Sequence, residues 1–215
     1  MTLKSDKSGV QALKSATTRN VGEYRLLHVS DPYYGRSSEQ MLAQICSLIA
    51  ELRPTSILDF GCGKSSLVDA VAEQLNAKPY HYDPAIDEYS QLPLSRADVV
   101  INTDVLEHLD EHEVDTVLND IRSISDKVFF NISTRPAKKT LASGENAHAT
   151  VKSRNWWRDT IRTKFPVCIE VESKLDEARF ITWQPGILVR ITLRASQLFR
   201  FTKAQLRQKI GFSKL

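Results

Sequence analysis

No run of apolar residues in this 215-residue chain approaches the roughly 20 that a helix needs to cross a bilayer, so no membrane span is expected. Cysteine is scarce: Cys46, Cys62 and Cys168 are odd in number and far apart. That excludes a disulfide framework or a zinc cluster built on cysteine pairs, and it points to a reducing compartment. The first ten residues are polar and hold no apolar stretch of the secretory kind, so the expected location is cytoplasmic. There is no internal repeat and no low-complexity tract. What remains is an ordinary globular composition, 41% apolar and 26% charged, at a length that suits one domain.

The net charge of +3 is unevenly spread. Residues 187–215 hold seven basic side chains and no acid, and residues 1–25 hold five basic against two acidic, which leaves the body between them acidic. An acidic body with basic ends excludes a general nucleic-acid binder, whose basic charge would line one working face. On a helical wheel Phe199, Leu206 and Ile210 fall together, with Arg200, Lys203, Arg207 and Lys214 as a neighbouring stripe. A basic amphipathic C-terminal helix is therefore expected. It would either make a peripheral contact with an anionic membrane at its inner face, or dock on the domain or on a second copy in a homodimer. Three segments follow: an N-terminal lid or substrate segment (1–36), a central domain (37–186) and the C-terminal helix (187–215).

Strand-like and helix-like patterns alternate through the central domain, which predicts an α/β fold. Helices are expected from Ser37 to about Arg53, closed by Pro54, then after Ser65 or Ser66 with Leu67, Val68, Val71 and Leu75 inward, from Glu113 to Ile124, and from Trp156 to Phe165. Strands are expected at Ser56–Phe60, Tyr80–Tyr82, Ala97–Asn102 and Val128–Ile132, with Val167–Glu172 and Arg179–Trp183 as a closing pair. The fold class is thus a Rossmann-like, mostly parallel sheet with helices on both faces and an antiparallel C-terminal strand. Only residues 84–96 separate the second strand from the third, too few for a full helix–strand unit, so one such unit is missing or shortened there.

After the first strand comes Asp59-Phe60-Gly61-Cys62-Gly63. Glycines let a backbone turn sharply and approach a ligand closely, and the N–H groups at the start of the next helix favour an anion. Asp83-Pro84 stands at the tip of the second strand, where a carboxylate can accept hydrogen bonds from both hydroxyls of an adenosine ribose. A dinucleotide turn requires a third glycine where this chain has Ser66, which disfavours a nicotinamide-dependent oxidoreductase.

The turn resembles the first motif of class I S-adenosylmethionine-dependent methyltransferases, with an acid two residues before the first glycine. The run Ala97 to Leu109, containing Asn102 and then Asp104-Val105-Leu106-Glu107-His108, resembles their fourth motif. Residues 131–157 resemble a group of bacterial methyltransferases, and the likeness spans about residues 55 to 185. It implies S-adenosylmethionine as cofactor, held by Asp59, Gly61, Cys62, Gly63, Asp83, Pro84, Asn102 and Asp104. Asp104, Glu107 and His108 lie at i, i+3 and i+4, one face if the segment is helical. With His148 they would hold Mg²⁺, Mn²⁺ or Zn²⁺. That set is similar to the metal site of small-RNA terminal 2′-O-methyltransferases, with Asp104 standing for a glutamate.

A hydroxyl is a poor nucleophile until deprotonated, so His148 and His108 are the catalytic candidates, as bases or through a metal. Tyr33, Tyr34, Arg135 and Trp156 are the candidate substrate residues. The expected activity is O-methylation of a sugar, a glycan or another small hydroxylated molecule. The alternatives are 2′-O-methylation of an RNA 3′ end and a cofactor-binding but inactive partner subunit.

Overall fold

The computed structural model describes residues 21–30, 37–187 and 189. Tyr33, Tyr34 and residues 190–215 of the expected C-terminal helix lie outside the described residues. Four parallel strands form the body of the sheet: β1 (Ser56–Phe60), β2 (Lys78–Tyr82), β3 (Val99–Thr103) and β4 (Val128–Ser133). A short β5 (Ile169–Glu170) pairs with β6 (Glu177–Ile181), which runs antiparallel to β4. The strand order is β2-β1-β3-β4-β6-β5. Between β2 and β3 only a short 3₁₀ turn forms at Asp87–Tyr89, so the missing unit leaves β2 at the sheet edge.

The period of two along each strand divides the apolar residues into two cores. Ile57, Val99, Ile101, Phe129 and Ile181 face α2 (Leu42–Ile49) and α3 (Leu67–Leu75). Leu58, Val100, Phe130, Ile132 and Phe180 face α4 (Glu111–Ile124) and α5 (Arg154–Arg162). A sheet covered on both faces needs continuously apolar strands, which is why β3 and β4 are buried at every position.

Helix ends differ modestly from the sequence reading. The 37–53 helix is α-helical only from Leu42 to Ile49, with 3₁₀ turns at Ser37–Met41 and Ala50–Leu52. Arg53 then takes a left-handed conformation (φ 48°) before Pro54. α4 starts two residues early because Asp110 and Glu113 form a reciprocal capping box. α5 starts at Arg154 because Ser153 caps the N–H of Trp156. A further helix, α1 (Val21–Ser30), lies within the expected lid segment.

Candidate functional site

The carboxyl ends of β1, β2 and β3 surround a cavity of about 170 Å³. Gly61, Cys62, Gly63, Asp83, Pro84 and Asp104 line it, as the motif reading expects. Gly61 has φ +86°, and a Cβ there would sit 2.3 Å from a methyl of Val105. Only glycine therefore lets the turn lie against the β3 loop. The turn's own N–H groups are engaged within the protein. Those of Gly61 and Cys62 donate to Tyr82 O (2.7 and 3.1 Å), and that of Gly63 donates to Asp83 Oδ2 (2.9 Å). Asp83 Oδ1 accepts from Ala85 N (2.8 Å), so its carboxylate is held rigidly at the cavity edge. Burial pushes the Cys62 thiol up, which makes it an inert lining atom rather than a nucleophile.

Two expected cofactor residues lie behind the cavity rather than on it. Asn102 is fully buried and donates to Phe60 O (2.8 Å), tying β3 to β1. Asp59 is 1% exposed, and neither of its oxygens has a hydrogen-bond partner among the described residues. Burial, with Asp83, Asp69 and Asp104 near, pushes its pKa up to about 8. Burial without donors thus favours the neutral carboxyl at the end of β1, next to the turn.

α1, within the segment read from sequence as a lid or substrate segment, contributes to this cavity. Its Val21, Tyr24 and His28 form one wall, and Ser38, Ala85, Thr103, Val105, His108 and Leu109 complete the lining. Polar ties hold it down: Lys64 Nζ donates to His28 O, Glu23 accepts from Ser143, and Arg25 pairs with Asp87 (3.1 Å).

The acid–histidine cluster forms by a different route from the one the spacing suggested. Asp104 has φ +57° and the 3₁₀ turn begins only at Leu106, so Asp104, Glu107 and His108 do not share a helical face. Asp104 accepts from Asn131 Nδ2 (2.6 Å) and stays outside the ligand group. Glu107, His108 and His148 do meet, with one potential ligand atom of each lying within 4.8 Å of the others. The two rings stand edge to face at 4.9 Å.

The hydrogen bonds around these three residues set their chemistry. His108 Nδ1 lies 2.8 Å from Ala147 O, and His148 Nδ1 lies 2.6 Å from Arg135 O. A carbonyl only accepts, so each Nδ1 carries the proton and each neutral ring holds its lone pair on Nε2. Burial lowers both pKa values, that of His108 to about 4. Glu107 is fully buried, and Oε1 accepts from Ser133 N (2.7 Å). Its Oε2 has no partner among the described residues, and burial and then Asp104 raise its pKa well above the usual range. Two lone-pair imidazoles braced by backbone carbonyls, beside an orphaned carboxylate oxygen, fit a divalent cation.

A second cavity, of about 250 Å³, adjoins the first through Asp104. Glu107, His148 and Arg135 line it, together with Gln40, Ser133, Lys174, Asp176 and Glu177. Trp156 lines neither cavity, contrary to expectation. It stands against Trp157 (4.9 Å) and under Lys152 on α5, where its apolar ring packs on the core.

No protein-family profile and no curated protein matches the chain. Among solved structures it is similar to an O-methyltransferase family protein from Burkholderia thailandensis (13% identity, TM-score 0.53, covering 68% of this chain and 56% of that one). It is also similar to mitomycin 7-O-methyltransferase (16%, 0.56, covering 74% and 59%). A third likeness is to the 1,6-didemethyltoxoflavin-N1-methyltransferase of Burkholderia thailandensis, with S-adenosylhomocysteine bound (16%, 0.52, covering 74% and 86%). The chain thus spans less than two thirds of the length of the first two. The fold is that of the class I S-adenosylmethionine-dependent methyltransferases. Among the described residues, no helix is long and apolar enough to cross a membrane.

Proposed function

We propose that the chain is an S-adenosylmethionine-dependent O-methyltransferase acting on a hydroxyl of a sugar or another small hydroxylated molecule, with a divalent cation at Glu107, His108 and His148. The observation that carries this reading is the position of the three residues. His108 lines the cofactor cavity, while Glu107 and His148 line the second cavity. An acceptor in the second cavity would meet the cofactor at that wall.

Transfer needs the acceptor oxygen in line with the S–CH₃ bond and stripped of its proton. With a pKa near 4, His108 is a poor base at neutral pH but a sound lone-pair donor, which favours its role as a ligand. A bound cation would lower the pKa of a hydroxyl ligated to it. Two imidazoles and one carboxylate suit Zn²⁺ or Mn²⁺ better than Mg²⁺, which prefers oxygen ligands. Asp83 would hold the ribose, and Asp59 would face the cationic end of the cofactor through the turn.

The test is incubation of the protein with S-adenosylmethionine and cell extract, followed by mass spectrometry for a product heavier by one CH₂. EDTA should abolish the product, and Glu107→Ala should do the same. Full turnover in chelator, with no metal found by elemental analysis, returns the cluster to a structural role.

A further inference from the structure

We infer that Arg179 and Asn131 are positioning residues for methyl transfer, forming a directed relay that fixes the carboxyl group of Asp104 where the two cavities meet. There Asp104 receives the hydrogen bond of the acceptor hydroxyl. The inference rests on the methyltransferase reading and adds to it the parts played by these side chains. Among the described residues, Asp104 is common to the linings of both cavities. A methyl group passing from a cofactor in the first to an acceptor in the second would cross beside it. Its backbone is left-handed (φ +57°), a conformation that is costly for a residue with a Cβ and persists only where the surroundings hold it. Asn131 holds it twice: its O accepts from Asp104 N (2.9 Å), and its Nδ2 donates to Asp104 Oδ1 (2.6 Å).

The direction of the relay follows from its far end. Arg179 on β6 pairs with Asn131 on β4 across the sheet, and both residues are buried. A guanidinium only donates, so its Nε (2.8 Å) obliges Asn131 to turn Oδ1 toward it. The amide Nδ2, which also only donates, is then left facing Asp104. A reversed amide would set N–H against N–H at one end and oxygen against oxygen at the other. Arg179 is fixed in turn, Nη1 donating to Gln44 Oε1 (2.5 Å) and Nη2 to Glu177. A guanidinium is costly to bury, and a brace for Glu177 alone would need no amide. Here its orientation is handed on through Asn131 to one oxygen at the joint between the cavities. An ionised carboxyl group has about four lone-pair sites, so the bond from Asn131 does not exhaust what it can accept. A hydroxyl that bonds to Asp104 takes a set orientation, and in-line transfer depends on that orientation.

The experiment measures methyl transfer from saturating, methyl-labelled S-adenosylmethionine to the acceptors in cell extract, and Tm by differential scanning fluorimetry. The full-length variants are Asp104→Asn, Asn131→Asp, the swap that combines the two, and Arg179→Lys. Asp104→Asn should cut transfer by roughly tenfold or more, since a small misplacement of a reacting group costs at least that much. Asn131→Asp sets two carboxyl groups in contact and should lower both Tm and transfer. The swap restores one donor and one acceptor, with the carboxyl group now against Arg179. It should recover most of the lost Tm but not the transfer, because the group at the joint is then an amide. A purely structural relay would recover both. Arg179→Lys keeps a charge beside Glu177 but loses the planar fork that orients Asn131, and it should cut transfer by roughly fivefold or more. Transfer recovered in the swap, transfer undiminished in Asp104→Asn or in Arg179→Lys, or a Tm that the swap does not recover would each overturn the inference. Wild-type protein that transfers no methyl group would overturn it together with the methyltransferase reading beneath it, a failure visible before any variant is made.

Discussion

At the scale of single residues, Asp83 and Asp59 do different things beside the glycine turn. Asp83 fastens Gly63 and Ala85 while presenting its carboxylate to the cavity. Asp83→Ala should weaken S-adenosylhomocysteine binding by about 1.5–3 kcal/mol, the worth of hydrogen bonds to a charged group. Isothermal titration calorimetry reads this directly, and an unchanged affinity removes Asp83 from the ribose role. Asp59 makes the opposite kind of contribution, because the folded protein holds its carboxyl protonated up to about pH 8. Below about pH 4 it is protonated whether folded or unfolded. Between those limits only the unfolded chain releases the proton, so stability falls as pH rises, by up to about 1.4 kcal/mol per pH unit. Glu107 acts with the same sign in metal-free protein. Urea denaturation of Asp59→Asn between pH 5 and 7.5 should show a decline shallower by about one proton's worth. Parallel declines in the two proteins would place the Asp59 pKa near its ordinary value.

At the scale of elements, α1 is the piece that belongs to both halves of the site. Tyr24 lines the cofactor cavity, and its hydroxyl donates to Ala147 O (2.7 Å) while lying 3.1 Å from His108 Nδ1. α1 therefore ties the wall of the first cavity to His108. S-adenosylhomocysteine should tighten Zn²⁺ or Mn²⁺ binding, by an amount in the usual coupling range of about 1–3 kcal/mol, and the metal should tighten cofactor binding equally. Tyr24→Phe should abolish most of this coupling while leaving each ligand's affinity alone close to wild type. Titrations of each ligand with and without the other check it, and coupling that survives in Tyr24→Phe excludes α1 as the link. Residues 1–36 were read as a lid or substrate segment, but the helix α1 within it was not legible, because a ten-residue helix of low amphipathicity gives no periodic signal of the surface it covers. β1, α3 and the turn between them were legible, since buried strand, glycine pair and amphipathic helix follow one another within twenty residues.

For the whole molecule, the two faces of the sheet bury separate cores while the carboxyl ends of the strands hold both cavities. A ligand that binds only the folded state should stabilise all of it. At a hundredfold excess over its Kd, S-adenosylhomocysteine should add about 2.7 kcal/mol and raise Tm by about 5–10 °C. NADH at the same concentration should leave Tm unchanged, and the reverse pattern in differential scanning fluorimetry would favour a dinucleotide site.

Local order along the chain determined the α/β class, the missing unit between β2 and β3, and the glycine turn at Gly61 and Gly63. Each depends on periodicity, on loop length, or on glycine at a fixed distance from a strand, and these act over a few residues. The metal-type cluster needed the folded chain. His148 reaches His108 only because the loop after β4 is tied back, Thr150 N donating to Glu107 O (2.9 Å) and Ala147 N to Lys139 O (3.1 Å). Asp104 leaves the cluster because its backbone is left-handed, a conformation that side-chain spacing does not encode. The second cavity draws Gln40, Arg135 and Lys174 together across more than a hundred residues. Which of their charges remain paired was decided by packing across the sheet, since contacts between distant segments depend on the return path of every loop between them.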